Sequence, residues 1–185
     1  VFNYRINQLL GTDGLVTFTV LMYIYNLVLM VMVGTSQGTQ PLVSYYYGRD
    51  DKKAVSTLHK YARVLVTGAG VLLFLIVEIF APNITASFIS KDTTNYFNTI
   101  AALRQFSFVF LIMGHVVITS GYMVALEEPR KAFVLSISRG IIFILFSLFV
   151  CTTLFKENGI WISCTISEIF CLVIALYDLK TQKKI

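Results

Sequence analysis

Residues 15–48 read LVTFTVLMYIYNLVLMVMVGTSQGTQPLVSYYYG, a run without a single charged side chain. At 1.5 Å per helical residue, about 20 residues cross about 30 Å of hydrocarbon, so this run is long enough to span a bilayer. The apolar part covers 15 to 40. The helix is expected to continue past Pro41 to Tyr47, because proline kinks a membrane helix without ending it when neighbours satisfy the freed carbonyl. Within the run, Thr19, Tyr23, Asn26, Met30, Gly34, Gln37, Pro41 and Ser44 follow one another at steps of three and four and so share one helical face. Amides facing lipid lose hydrogen bonds at a cost of kilocalories each, so this face is expected to meet a partner helix or an aqueous cavity. Both readings stand at this level. Gly34 and Gly38 form a GxxxG pair suited to helix packing, and Gln37, Gln40 and Pro41 suit a cavity wall.

Four more apolar runs follow outward from this one, at 62 to 81, 105 to 126, 133 to 154 and 159 to 178. The whole chain of 185 residues is 56% hydrophobic, 14% aromatic and of mean hydropathy +0.74, well above the apolar share of water-soluble domains. An all-α, polytopic membrane bundle of about five spans is therefore predicted, as a single unit over 1–185, with the lipid bilayer as its first partner. Asp50 and Asp51 before Lys52-Lys53-Ala54-Val55 form an N-cap pattern, so a short amphipathic helix is predicted to lead into the second span.

The connections alternate in charge. Gly48 to Arg63 carries Arg49, Lys52, Lys53, Lys60 and Arg63; Glu127 to Ala132 carries Arg130 and Lys131; the tail carries Lys180, Lys183 and Lys184. The opposite connections, Ala81 to Tyr96 and Phe155 to Asn158, carry only Lys91 and Lys156. Positive loops stay on the cytoplasmic side, which places the C-terminus there and residues 1 to 12 outside, in a multi-pass protein of the cell membrane. The outside start and Val1 as first residue predict a missing span upstream. The net charge of +5 is thus a matter of topology and implies no nucleic-acid partner.

Ionisable residues inside spans are the next signal. Glu168 falls near the middle of the last span, and Arg139 lies about 9 Å into the preceding antiparallel one, so their depths allow them to meet. The pair reads either as a structural lock or as a proton- or substrate-sensitive group with Glu168 as its acid. Arg104 and His115 lie three turns apart along one face of the third span. Glu78 shares a depth with Arg104, which allows an ion pair or snorkelling of both side chains to the surface. His115 is expected to be hydrogen-bonded to a neighbour.

No soluble catalytic constellation is present. The chain has no Walker loop, no HExxH and no Cys/His metal box, and Cys151, Cys164 and Cys171 lie in apolar runs as packing residues. Gly34 to Gly38 spells GxSxG, but that motif needs a strand-to-helix elbow, so it is coincidence inside a span. Asn83-Ile84-Thr85 matches a glycosylation sequon of low specificity. An enzyme is not predicted, nor is a bound cofactor.

Gly11 to Val20 (GTDGLVTFTV), Gly34 to Gly48 (GTSQGTQPLVSYYYG), the Glu127-Glu128-Pro129-Arg130-Lys131-Ala132 turn with Ser138-Arg139-Gly140, and Gly159-Ile160-Trp161 with Ser167-Glu168 together resemble the C-terminal lobe of multidrug and toxin extrusion (MATE) transporters. The likeness is greatest to the bacterial branch of MepA-like pumps. The resemblance implies twelve spans in two six-helix lobes around a central cavity, exporting drugs or organic cations in exchange for protons or sodium. The five spans here then correspond to the eighth to twelfth, with residues 1 to 10 ending the seventh and the N-terminal lobe absent. Some members carry acidic cation ligands in the seventh and tenth spans. This chain has no Asp or Glu within 105 to 126, so a sodium site here is not implied and coupling passes to the absent lobe. Substrate or ion contacts are expected at Asn26, Met30, Gln37, Gln40, Pro41, Arg104, His115, Arg139 and Glu168, with no metal site. Tyr23, Met30 and Phe110 are expected as adaptable cavity surfaces. Two other readings keep the helices and change the role: a flippase for lipid-linked saccharides, which needs a more cationic cavity, and a non-transporting membrane assembly subunit.

Overall fold

The computed structural model describes residues 2–182, so Val1 and the tail residues Lys183 and Lys184 lie outside the described residues. The chain forms helices α1 (Phe2–Gly48), α2 (Lys52–Ala86), α3 (Thr94–Ser107), α4 (Phe110–Ala125), α5 (Pro129–Ile137) and α6 (Phe143–Gln182), with one π-helical turn at Ser138–Ile142 between the last two. No strand occurs among the described residues. Four helical stretches, Asn3–Gly48, Lys52–Ala86, Pro129–Lys156 and Asn158–Thr181, are long and apolar enough to cross a bilayer. Helices α3 and α4 are long and apolar enough only when taken together, across a bend of 44°.

Each junction has a local cause. Helix α1 runs through Pro41 to Gly48 as the sequence predicts. It ends in a Schellman motif, in which the Asp51 amide donates to the Tyr46 carbonyl and the Asp50 amide to that of Tyr47, with Asp50 at φ 57° in the left-handed slot. Asp51 then caps α2, its carboxylate accepting from the Ala54 amide at 2.9 Å. The predicted amphipathic lead-in and the second span are one continuous helix. Helix α4 ends in the same motif, Glu128 amide to Met123 carbonyl, with Glu127 at φ 60°. At Gly11, φ 64° and ψ −154° break α1 and turn residues 2–10 back, so that Ile6 becomes fully buried and lies against Gly14 with Leu10.

The third predicted span, 105 to 126, is not one straight helix. Its helix begins earlier, at Thr94, and breaks after Ser107. The one Ser107 hydroxyl proton is shared between two acceptors, the Arg104 carbonyl at 2.7 Å and Glu78 Oε1 at 2.8 Å, so side-chain bonding competes with the backbone ladder where the bend falls.

The core lies where α1, α2, α3, α4 and α6 converge, around Leu21, Val28, Met32, Val66, Leu103, Phe106, Met113 and Trp161. Large apolar side chains such as Leu72, Ile79, Phe149 and Leu154 point away from it. Lipid tails are as apolar as leucine, so helix association here depends on close packing and interhelical hydrogen bonds. Gly70 is one such point: a Cβ there would stand 2.6 Å from the Phe110 carbonyl oxygen. Gly70→Ala is expected to lower stability by about 2 kcal/mol through overpacking, whereas Gly68→Ala, with open space around it, carries no packing cost. Unfolding midpoints in detergent compare the two; equal values would remove the crossing from the packing argument.

Candidate functional site

The eight stripe residues of α1 are all exposed on the chain, from Thr19 to Ser44. A Cβ at Gly34 or Gly38 would meet nothing within 4 Å, so the GxxxG pair packs against no helix of this bundle. Asn26 Nδ2 donates to the Met22 carbonyl of its own helix at 2.8 Å, while Met30 is 68% exposed. Gln40 departs from this face. It is half-buried against α2 and α4, beside His59 and Tyr122. Phe110 departs further: it is 1% exposed and belongs to the core, because the bend before α4 turns it inward. It lines no cavity.

The charged residues sort into two places. Arg104 meets Glu78 at 3.7 Å and His115 Nε2 lies 3.3 Å from Thr67 Oγ1, so both side chains reach across to α2 in antiparallel register. Arg104 is half-exposed, which keeps that pair weak. Arg139 and Glu168 are different. Arg139 Nε donates to Glu168 Oε1 at 2.7 Å, with the two side chains 21% and 7% exposed. Arg139 sits on the π-helical turn, a local irregularity that recurs at functional sites and re-aims the side chains it carries. The antiparallel arms bearing the pair meet again at Cys151 and Gly159, beside the break at Lys156 (φ 50°, ψ −121°).

A third member was not legible in the sequence. Arg139 Nη2 donates to Tyr25 Oη at 3.1 Å, bringing together residues 114 positions apart. Tyr25 neighbours Asn26 but lies about 100° around the helix, off the stripe. Around this triad opens a cavity of about 410 Å³, walled by α1, the α3–α4 joint, the π-helical turn and α6. Of the expected site residues only Arg139 and Glu168 line it; Asn26, Met30, Gln37 and Pro41 lie on the outer face of α1, and Arg104 and His115 lie against α2.

Helices of bilayer length, with an Arg–Glu pair drawn inward onto a cavity and amides gathered on one outer face, define a multi-spanning membrane protein. The MatE family model matches residues 1–149, and the chain belongs to that family. Its fold is similar to that of an outward-facing multidrug resistance MATE family transporter of the MOP superfamily, with a TM-score of 0.90 and 19% identity over 100% of this chain and 42% of that one. An inward-facing multidrug resistance MATE family transporter gives 0.89 at 19% identity, covering 99% and 43% of the two chains. A MOP superfamily transporter from Pyrococcus furiosus, described as having a binding pocket of reverse polarity that suggests a different function, gives 0.90 at 18%, covering 98% and 41%. No curated protein matches the chain. The chain thus spans about 42% of the length of the first solved structures it resembles.

Proposed function

We propose that this chain is one lobe, the C-terminal one, of a secondary antiporter of the cell membrane that exports drugs or organic cations in exchange for protons or sodium. The observation that carries this reading is the outer face of α1, where Asn26, Gln37 and Pro41 are exposed on a helix of bilayer length. Hydrocarbon is a poor solvent for amides, so this face calls for a second lobe and a polar path between the two. Similar TM-scores to outward- and inward-facing relatives agree with a lobe that moves as a body while the path opens to either side. A membrane orientation with a cytoplasmic C-terminus follows from the basic connections. In this reading Glu168, ion-paired with Arg139, is the acid of this chain that responds to the driving ion. Without its complement the lobe leaves its path open to lipid and is inactive.

Cysteine labelling tests the path. With Cys151, Cys164 and Cys171 replaced by serine, Gln37→Cys in native membranes is expected to react with a water-soluble maleimide and to be protected by tetraphenylphosphonium. Leu72→Cys, 59% exposed on α2, is expected to stay unlabelled. An unreactive Gln37→Cys would remove the polar path.

A further inference from the structure

We propose that the exposed face of α2 beside α4 binds one anionic phospholipid, its phosphate held by Lys60 and Arg63 and an acyl chain laid along the same face. Lys53, Ser56, Lys60, Arg63 and Thr67 follow one another at steps of three and four and are all exposed. Val71 and Leu75, exposed at the next two turns, continue the face as an apolar strip. From the start of α2 the face is thus cationic as far as Arg63, polar at Thr67 and apolar from Val71, the order in which a phospholipid presents its own groups. The site lies apart from the outer face of α1 and holds whether or not that face lines a transport path.

Depth places the cations at the membrane surface. Helix α2 has 35 residues and is therefore about 52 Å long, against about 30 Å of hydrocarbon. From Val64 to Ala81 it rises about 27 Å with Glu78 as its only charge, so Lys52 to Arg63 stand at headgroup level. Tyr61, Val64 and Leu65 are exposed around Arg63, which marks a surface that faces lipid rather than bulk water. Sidedness alone asks only for basic residues somewhere in a connection; it does not ask for their alignment on one face.

None of the ion pairs among the described residues involves Lys53, Lys60 or Arg63. The acid nearest in sequence, Asp51, gives its carboxylate to the Ala54 amide as the cap of α2. Three cations without a carboxylate call for an anion from outside the chain, and at this depth the phosphate of a lipid is the anion at hand. Thr67 spends its one proton on the Arg63 carbonyl at 2.7 Å and meets His115 Nε2 at 3.3 Å, so its hydroxyl is satisfied within the protein. Deeper along the face a lipid meets only apolar side chains. Phosphatidylcholine also carries a phosphate, but its quaternary ammonium would stand against Lys53 and Lys60 and be repelled. The face therefore selects lipids of net negative charge.

The probe is dioleoyl phosphatidylglycerol in equal amount with dioleoyl phosphatidylcholine, added to the full chain in detergent micelles, and native mass spectrometry counts the lipid that each chain keeps. The tightest-held lipid is expected to be phosphatidylglycerol. A cation beside an anionic lipid favours its binding by about fivefold, so Lys60→Gln and Arg63→Gln should each lower the preference by that factor. Arg130→Gln removes the same charge from the first turn of α5 and is expected to leave the preference unchanged. Lys60 and Arg63 are both exposed, and a variant that keeps the wild-type unfolding midpoint is the one that is read. Glycerophosphoglycerol, the headgroup without its chains, is expected not to displace the lipid. Equal retention of the two lipids, an unchanged preference in folded Lys60→Gln and Arg63→Gln chains, or an equal loss in Arg130→Gln would each overturn the site. Displacement by the headgroup alone would overturn the part assigned to the acyl chain and leave a site for free phosphate esters.

Discussion

Arg139→Leu is expected to lower the stability of the chain by about 4 kcal/mol, because it strips the partner from a carboxylate that is almost wholly buried. The attraction gained by a buried pair is largely offset by the desolvation of both ions, so the pair itself adds little net stability. Removing one partner alone leaves the other's desolvation uncompensated. The two single variants should therefore differ. Arg139 is 21% exposed and has a long stem, so in Glu168→Gln it can extend toward solvent, and the loss should be about 1–2 kcal/mol. The double variant Arg139→Met with Glu168→Leu leaves no buried charge and should recover to within about 1 kcal/mol of wild type. Unfolding in detergent micelles measures all three, and transport assays with the complementary lobe read Glu168→Gln for its response to the driving ion. If Arg139→Leu cost less than about 1 kcal/mol, water would be reaching the carboxylate and the pair would not be locking the two arms.

What the sequence made legible follows from the range of each interaction. Spans depend on a local property, apolar length, so 15 to 40, 62 to 81, 133 to 154 and 159 to 178 all fall inside helices of the structure. The Arg139 to Glu168 pair was legible because few ionisable groups sit inside spans, and adjacent antiparallel spans bring equal depths together. The outer face of α1 was legible as a period of three and four, but whether it met a helix of this bundle was not. That depended on where the other helices lie, and the open space at Gly34 and Gly38 decides it.

Features set by distant contacts escaped. The bend after Ser107 depends on Glu78, 29 positions away, so the third span read as straight and Phe110 was misplaced onto a cavity wall. Tyr25 reads in the sequence as one more aromatic in an apolar run, and only its bond to Arg139 gives it a role. Gln40 sits one turn beyond Gln37 in chemistry but not in direction, since three residues of α-helix rotate it by about 300° and that offset carries it to α4.

The other large effect is expected at Gly159, where the two arms of the last hairpin come closest. A Cβ at this position would collide with the carbonyl group of Cys151 and with the Thr152 amide nitrogen at 2.9 Å, all of them backbone atoms that no rotamer change can move. Gly159→Val is therefore expected to cost about 3 kcal/mol, the upper end of ordinary overpacking, since relief requires the arms themselves to separate. Separation acts as a lever. The same arms carry Arg139 and Glu168 farther along, so opening them at Cys151 strains a 2.7 Å ion pair and loosens the wall of the cavity. Cys151, 2% exposed in the closed hairpin, should then react with a maleimide at a rate well above wild type. Gly140→Ala is the matched control, because a Cβ there meets nothing within 4 Å although it lies beside Arg139 on the same arm. A Gly159→Val chain with the wild-type unfolding midpoint and an unreactive Cys151 would mean that the arms are not held by this contact, and that the ion pair alone sets their spacing.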